Sequence, residues 1–209
     1  IVKLASNENP LGLSPAARAA LEREIADLAR YPDGNAFDLK SALCRRYKVD
    51  ASSIVVGNGS NDVLDMAARA FLAPGVEAIY SQHAFAVYPI ATQTIGAKGI
   101  EVPAKDFGHD LDAMLKAVTA QTRMVFIANP NNPTGNLFDA EAMLAIIREV
   151  GDSGVVVVDE AYVDFGGQSA VDLIHQHPNL LVCHTFSKSR SLAGLRVGYA
   201  LGSAELIEG

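Results

Sequence analysis

The sequence predicts an α/β fold, a mostly parallel sheet with helices on both faces, and two observations lead to this prediction. Short runs of β-branched and other apolar residues alternate along the chain with longer amphipathic segments, which is typical of repeated strand–helix units. The short runs are apolar at nearly every position, so each strand is expected to be buried on both faces.

Five of these runs are predicted to be strands. Each is rich in Val, Ile, Leu or Met and is followed by polar or turn-forming residues, which end a strand. The predicted strands are 54–56, 78–80, 124–127, 155–158 and 180–183.

The amphipathic segments between the strands are predicted to be helices. Ser14 is a suitable cap for the first helix, Pro15 suits its first position, and Asp139 is a suitable start for the last. The first dozen residues are rich in Asn, Ser, Pro and Gly and form an arm, so 1–35 is the arm with the first helix and 36–209 is the large domain. The predicted helices are 15–29, 36–48, 60–71, 85–95, 110–119 and 139–150.

The composition excludes several classes of protein. The 209 residues are 49% hydrophobic and 20% charged, which is typical of a globular chain. The net charge of −7 argues against a general binder of nucleic acids or anionic membranes. The two cysteines, Cys44 and Cys183, are too few for a disulfide framework or a cysteine-rich zinc site. The chain begins at Ile1 without a leader and ends in a helix that has barely begun, so we expect a fragment of a cytoplasmic enzyme.

Polar clusters follow four of the predicted strands. In a parallel sheet the carboxyl ends of the strands share one edge, where open α/β sheets bind ligands. The sequence therefore predicts one crevice formed by the four clusters, which are 57–61, 129–135, 159–162 and 185–188.

Each cluster also has a simpler interpretation. Ser60 is placed to bind a phosphate at a helix start, but it could be a plain cap. The 129–135 segment could be only a proline-rich turn. Asp159 could be a cap or a member of a structural ion pair, Tyr162 could be a packing residue, and Lys188 could be a solvated surface charge.

Longer motifs occur in one order along the whole chain. They are Asn-Pro-Asn-Asn-Pro-Thr-Gly at 129–135, Asp-Glu-Ala-Tyr at 159–162, Thr-Phe-Ser-Lys at 185–188 and Gly-Leu-Arg-Val-Gly-Tyr at 194–199. Together they resemble fold-type I pyridoxal-phosphate aminotransferases. The opening Ala-Ser-Asn-Glu-Asn-Pro-Leu-Gly at 5–12, with Tyr-Pro-Asp at 31–33 and Gly-Asn-Gly-Ser at 57–60, resembles the histidinol-phosphate branch of that family.

The resemblance implies a role for the residues nearest the reaction. Lys188 is implied to carry pyridoxal 5'-phosphate covalently and to act as general base and acid. Asp159 is implied to pair with the ring nitrogen, and Asn132 and Tyr162 to hydrogen-bond the ring oxygen. Phe85 is implied to stack on the ring.

The resemblance also implies how the cofactor phosphate is held. Arginine and hydroxyl side chains around a helix start suit a phosphate group. Tyr31 is implied to reach the phosphate of a neighbouring subunit, which implies a homodimer. The other implied phosphate-binding residues are Gly59, Ser60, Asn61, Thr185, Ser187 and Arg196.

The resemblance leaves more than one reaction open. The first hypothesis is transamination between histidinol phosphate and 2-oxoglutarate, an amino donor and a 2-oxo acid, in histidine biosynthesis. The second is an aromatic or other aminotransferase, a decarboxylase or a lyase with the same cofactor. The others are a non-catalytic aminotransferase-like module and an unrelated nucleotide-binding domain. Arginines that bind the substrate anion are expected beyond residue 209, so the piece alone is expected at most to bind cofactor.

Overall fold

The computed structural model describes residues 6–208 and confirms a mostly parallel sheet with helices on both faces. The start of the predicted arm, 1–5, and the last residue of the predicted large domain, Gly209, lie outside the described residues. The division of the chain at residue 35 stays a prediction.

The described part of the chain forms one seven-stranded sheet in the order β1-β7-β6-β5-β4-β2-β3. The neighbours from β3 to β6 are parallel, whereas β7 is antiparallel to both β1 and β6. β1 therefore runs in the same direction as the parallel strands, and its carboxyl end lies at their edge of the sheet. The strands are β1 Ile54–Gly57, β2 Glu77–Ser81, β3 Lys98–Val102, β4 Thr122–Ala128, β5 Val155–Asp159, β6 Leu180–Thr185 and β7 Gly198–Leu201.

Two of these strands, β3 and β7, were absent from the sequence prediction. β3 is an edge strand that begins with Lys98 and Gly99 and is mostly exposed, so it lacks the continuous apolar run of a central strand. β7 has only four residues and begins with a glycine, which makes its sequence a weak strand signal.

The helices largely occupy the predicted segments, with shorter bounds. The first ends at Glu24 rather than residue 29 and continues as a 3-10 turn, and the sixth begins at Leu144 after a 3-10 turn. No helix in the described range 6–208 is long and apolar enough to cross a membrane. The helices are α1 Pro15–Glu24, α2 Phe37–Tyr47, α3 Ser60–Phe71, α4 Val87–Ile95, α5 Leu111–Lys116, α6 Leu144–Val150 and α7 Ala204–Glu208.

β5 lies near the middle of the sheet and is buried on both faces. Successive side chains of a strand point to opposite faces. Val155 and Val157 accordingly pack in the cluster that contains residues of α3 and α4. Val156 and Val158 pack on the other face, with residues of α2, α5 and α6. The strand that ends in Asp159 is thus fixed by packing from both sides.

Gly198 allows β7 to approach the start of α3. A β-carbon at this position would lie 2.2 Å from the backbone nitrogen of Ser60 and 2.3 Å from the carbonyl carbon of Gly59. No side chain larger than hydrogen fits against this backbone, so the start of α3 is held directly against the first residue of β7.

We expect Gly198→Ala to lower the free energy of unfolding by about 1–3 kcal/mol, because the new methyl group must push β7 away from α3. Urea unfolding of the variant and the parent protein measures the loss. The matched control is Gly194→Ala, where an added β-carbon meets no heavy atom within 4 Å. Equal stabilities of the two variants would contradict the prediction.

Candidate active site

The four polar clusters meet at the carboxyl edge of the sheet, around a cavity of about 290 Å³. They follow β1, β4, β5 and β6, which point in one direction. All the predicted site residues except Gly59 and Tyr31 line this cavity. Those that line it are Ser60, Asn61, Phe85, Asn132, Asp159, Tyr162, Thr185, Ser187, Lys188 and Arg196.

One end of the cavity is suited to an anion. α3 begins there at Ser60, its N-cap is Gly59, and no side chain caps it, so the alternative that Ser60 is a cap is wrong. The free N–H groups at a helix start attract negative charge. Gly59, at a φ of +88°, lies beneath the Arg196 guanidinium, which an added β-carbon would approach to 2.4 Å. Gly59 thus lies close against Arg196 without itself lining the cavity.

Two hydroxyl groups face the same end of the cavity. Thr185 ends β6, and its hydroxyl donates to the Ser187 hydroxyl at 3.0 Å and accepts from the Ser187 N–H at 3.2 Å. Arg196 is anchored by its own donors to the carbonyl oxygens of Ala193 and Asn58, at 3.2 and 3.4 Å. Hydroxyl, guanidinium and helix start together form a set that suits a phosphate group.

The 129–135 segment is both a rigid turn and part of the cavity wall. The Asn129 side chain exchanges two hydrogen bonds with the backbone of Phe138, at 2.8 and 2.9 Å. The Asn131 amide donates to the His83 carbonyl and the Thr134 hydroxyl, each at 2.7 Å. These two buried asparagines hold the turn, so Asn132 is left to line the cavity.

The cavity lining also contains a buried carboxylate. Asp159 is 5% exposed, and burial raises its pKa, although hydrogen bonds from Tyr88 and the Ala161 N–H and the charge of His184 act in the opposite direction. Within residues 6–208 no basic side chain forms an ion pair with it. The structural ion-pair alternative is therefore wrong, and the carboxylate is left for a cationic ligand.

Tyr88 is a residue that the sequence analysis missed. It is fully buried in α4 and donates a hydrogen bond of 2.9 Å to Asp159 Oδ2. Its ring stacks on Phe126, with centroids 4.7 Å apart, and meets Phe85 edge to face. The sequence feature that could have pointed to Tyr88 was its position three residues after Phe85. A tyrosine in an apolar helix is, however, typical of plain core packing.

Lys188 and Tyr162 lie together under the amino-terminal arm. Lys188 is partly exposed, and its Nζ donates to the Asn7 carbonyl at 2.9 Å and lies 5.5 Å from the centre of the Tyr162 ring. The Asn7 amide donates to the Tyr162 hydroxyl at 2.9 Å, and the Asn9 amide to the Lys188 carbonyl at 3.1 Å. Lys188 is thus a member of a hydrogen-bonded group rather than a plain solvated charge.

Tyr31, unlike Gly59, has no contact with the residues that line the cavity among those described above. It is fully exposed, at 101%, and lies in the loop between α1 and α2. The predicted role of Tyr31 required a neighbouring subunit, so it stays a prediction.

The residues present fit pyridoxal phosphate. The cofactor has an anionic phosphate, which suits the α3 start and Arg196, and a basic ring nitrogen, which suits the buried carboxylate of Asp159, to which residues 6–208 offer no ion-pair partner. Phe85 gives the cavity an aromatic wall. Lys188 supplies an amine, the group that a carbonyl cofactor needs for covalent attachment.

Comparison with known proteins gives a consistent family. The model of the family "Aminotransferase class I and II" matches residues 1–209. Histidinol-phosphate aminotransferase 2 of Pseudomonas aeruginosa is 57% identical over 207 residues, which are 97% of this chain and 56% of that protein. The corresponding protein of Nitrosospira multiformis is 53% identical over 211 residues, 99% of this chain and 54% of that protein. The chain spans about half the length of these relatives.

Solved structures of related proteins have the same fold as this chain. The histidinol-phosphate aminotransferase of Sinorhizobium meliloti in complex with pyridoxal-5'-phosphate superimposes with a TM-score of 0.91 at 29% identity, over 97% of this chain and 56% of that one. Aspartate aminotransferase from Thermus thermophilus with maleate gives a TM-score of 0.89 at 24% identity, over 98% of this chain and 57% of that one. The second likeness concerns the fold alone.

We expect Tyr88→Phe to lower the free energy of unfolding by about 1–3 kcal/mol near pH 7, because the buried Asp159 carboxylate loses a donor. The folded-state pKa of Asp159 is raised, so acidification protonates it and the loss should shrink at a lower pH. Urea unfolding at both pH values measures this, with the exposed Tyr31→Phe as control. An equal loss at both pH values would show that the Tyr88 hydroxyl does not stabilise the charged carboxylate.

Proposed function

This chain belongs to the aminotransferase class I and II family, and we propose that the intact protein is a histidinol-phosphate aminotransferase of histidine biosynthesis. In this proposal it uses pyridoxal phosphate to transfer the amino group of histidinol phosphate to 2-oxoglutarate. The relatives with 53–57% identity are histidinol-phosphate aminotransferases, which supports the substrate. The solved relative with bound pyridoxal-5'-phosphate supports the cofactor.

One observation carries the chemical part of the proposal. A single cavity is lined by a buried carboxylate, which lacks an ion-pair partner among the described residues, and by an arginine with a helix start. An anionic group and a basic nitrogen on one ligand match these two features.

The residues nearest the reacting groups each have a physical role in the proposed reaction. Pyridoxal phosphate, when bound, supplies the electron sink for loss of a proton from the substrate carbon. Asp159 holds a proton on the ring nitrogen by its negative charge, and Tyr88 orients that carboxylate. Lys188 Nζ attaches the cofactor and then takes up and returns the substrate proton as general base and acid. Tyr162 and Asn132 orient the ring by hydrogen bonds to its oxygen.

The other cavity residues bind and orient. Ser60 and Asn61 present the first N–H groups of α3 to the phosphate, and Arg196 adds charge and directional donors, with Gly59 as its support. Thr185 and Ser187 add hydroxyl donors to the same group. Phe85 stacks on the ring face and excludes water from it.

The proposal also includes the oligomeric state of the protein and its location in the cell. Tyr31 is fully exposed, 101%, as required if it reaches the cavity of a second copy, so we propose a homodimer with shared active sites. Both cysteines are free thiols, which suits the reducing cytoplasm.

We expect Lys188→Ala to abolish covalent attachment of the cofactor and to reduce kcat by about 100-fold or more, because the general base and acid is lost. Borohydride reduction followed by peptide mapping should place the label of the parent protein on Lys188. Lys116→Ala, on α5 outside the cavity, is the matched control and should keep the label. A label on Lys98, Lys105 or Lys116 in the parent protein would overturn the assignment.

We expect the intact dimer to react faster with histidinol phosphate than with phenylalanine or aspartate. Rates of the first half-reaction, followed by the absorbance of the bound cofactor, measure this preference without a second substrate. A preference for phenylalanine or aspartate would assign the protein to another branch of the family and leave the proposed cofactor residues unchanged.

A further inference from the structure

Glu160 and His184 form a buried pair on the other side of the sheet from the cavity. Glu160 directly follows Asp159 at the end of β5, and His184 directly precedes Thr185 in β6. Because successive side chains of a strand alternate between faces, both point away from the cavity that their neighbours line. They are 1% and 7% exposed.

Glu160 connects three segments of the chain. Its Oε2 lies 3.0 Å from His184 Nε2. The same carboxylate accepts hydrogen bonds from the Ser169 hydroxyl and the Ala170 N–H, both at 2.6 Å. Its own N–H donates to the Cys183 carbonyl at 2.8 Å. The side chain and backbone of Glu160 therefore fix the ends of β5 and β6 relative to each other.

Two tyrosines enclose the imidazole of His184. The ring stacks on Tyr199 of β7, with centroids 5.2 Å apart and an interplanar angle of 6°, and lies 5.7 Å from the Tyr47 ring of α2. The hydroxyls of these tyrosines are 2.7 Å apart. The titratable groups around His184 are therefore Glu160, Tyr47 and Tyr199 on its own face, with Asp159 and Cys183 across the sheet.

Stability alone does not account for such a pair, because well-packed apolar residues are commonly as stable as a buried pair of titratable groups. The pair does affect its neighbour. The charge of His184 lowers the pKa of Asp159, and the charge of Glu160 raises it. The two residues thus act in opposite directions on the carboxylate of the candidate active site.

We propose that Glu160 and His184 are positioning residues of this site: they hold the ends of β5 and β6 in register and influence the Asp159 carboxylate that faces a basic ligand nitrogen. This inference rests on the proposed function, since pyridoxal phosphate is the ligand concerned. It assigns a role to two buried residues that touch neither cofactor nor substrate.

The test uses charge-neutralising variants with opposite expected effects. The intact apo-protein is titrated with pyridoxal phosphate at a series of pH values, and the pH at which affinity falls to half is compared. His184→Gln should move this midpoint up and Glu160→Gln should move it down, with a separation of about half a pH unit or more. The exposed His175→Gln is the matched control and should match the parent protein.

A purely structural role would give a different result, since both variants break the same pair and would weaken binding alike. Coincident midpoints of His184→Gln and Glu160→Gln would therefore overturn the proposal. If His184→Gln does not fold, the midpoint of Glu160→Gln is compared with that of the parent protein, and it must still be at a lower pH. Failure of the parent protein to bind pyridoxal phosphate at any pH would instead overturn the proposed function.

Discussion

A carboxylate is buried at the end of the central strand. Burying a charged group is energetically unfavourable, and neighbouring residues offset part of this free-energy cost. Burial raises the pKa of Asp159, so the charged form is unfavourable unless donors or a cation face it. Tyr88 supplies one donor from α4 and the Ala161 backbone supplies another. The charge of His184 acts in the same direction, and a basic group of a ligand in the cavity would add to this stabilisation, which ties the affinity for such a group to the packing of the sheet.

The alternation of side chains along a strand gives neighbouring residues at this sheet edge different surroundings. Asp159 and Thr185 face the cavity, while Glu160 and His184, their immediate neighbours, face the core on the other side. A substitution on the core face can therefore change the electrostatics of the cavity without altering its lining. Residues 159–162 form one motif in the sequence, but Asp159 faces the cavity and Glu160 faces the core.

The sequence was sufficient for much of this arrangement and insufficient for the rest, for identifiable reasons. Continuous apolar runs such as 155–158 identified the central strands, and the polar residues after them identified the cavity. β3 and β7 were missed because an exposed edge strand and a four-residue strand lack that pattern. Tyr88 was missed because its contact with Asp159 joins residues 71 positions apart, and no local pattern in the chain records such a contact.

The position of β7 has a consequence for how the protein is made. β1 pairs only with β7 among the described strands, with Ile54 opposite Leu201. β1, the first of the described strands in chain order, therefore has no partner until nearly all of the residues described here have been synthesised. Contacts between such distant segments form slowly, since a long loop must close first. The start of α3, which rests on Gly198 of β7, is accordingly among the last parts of the site to be completed during synthesis.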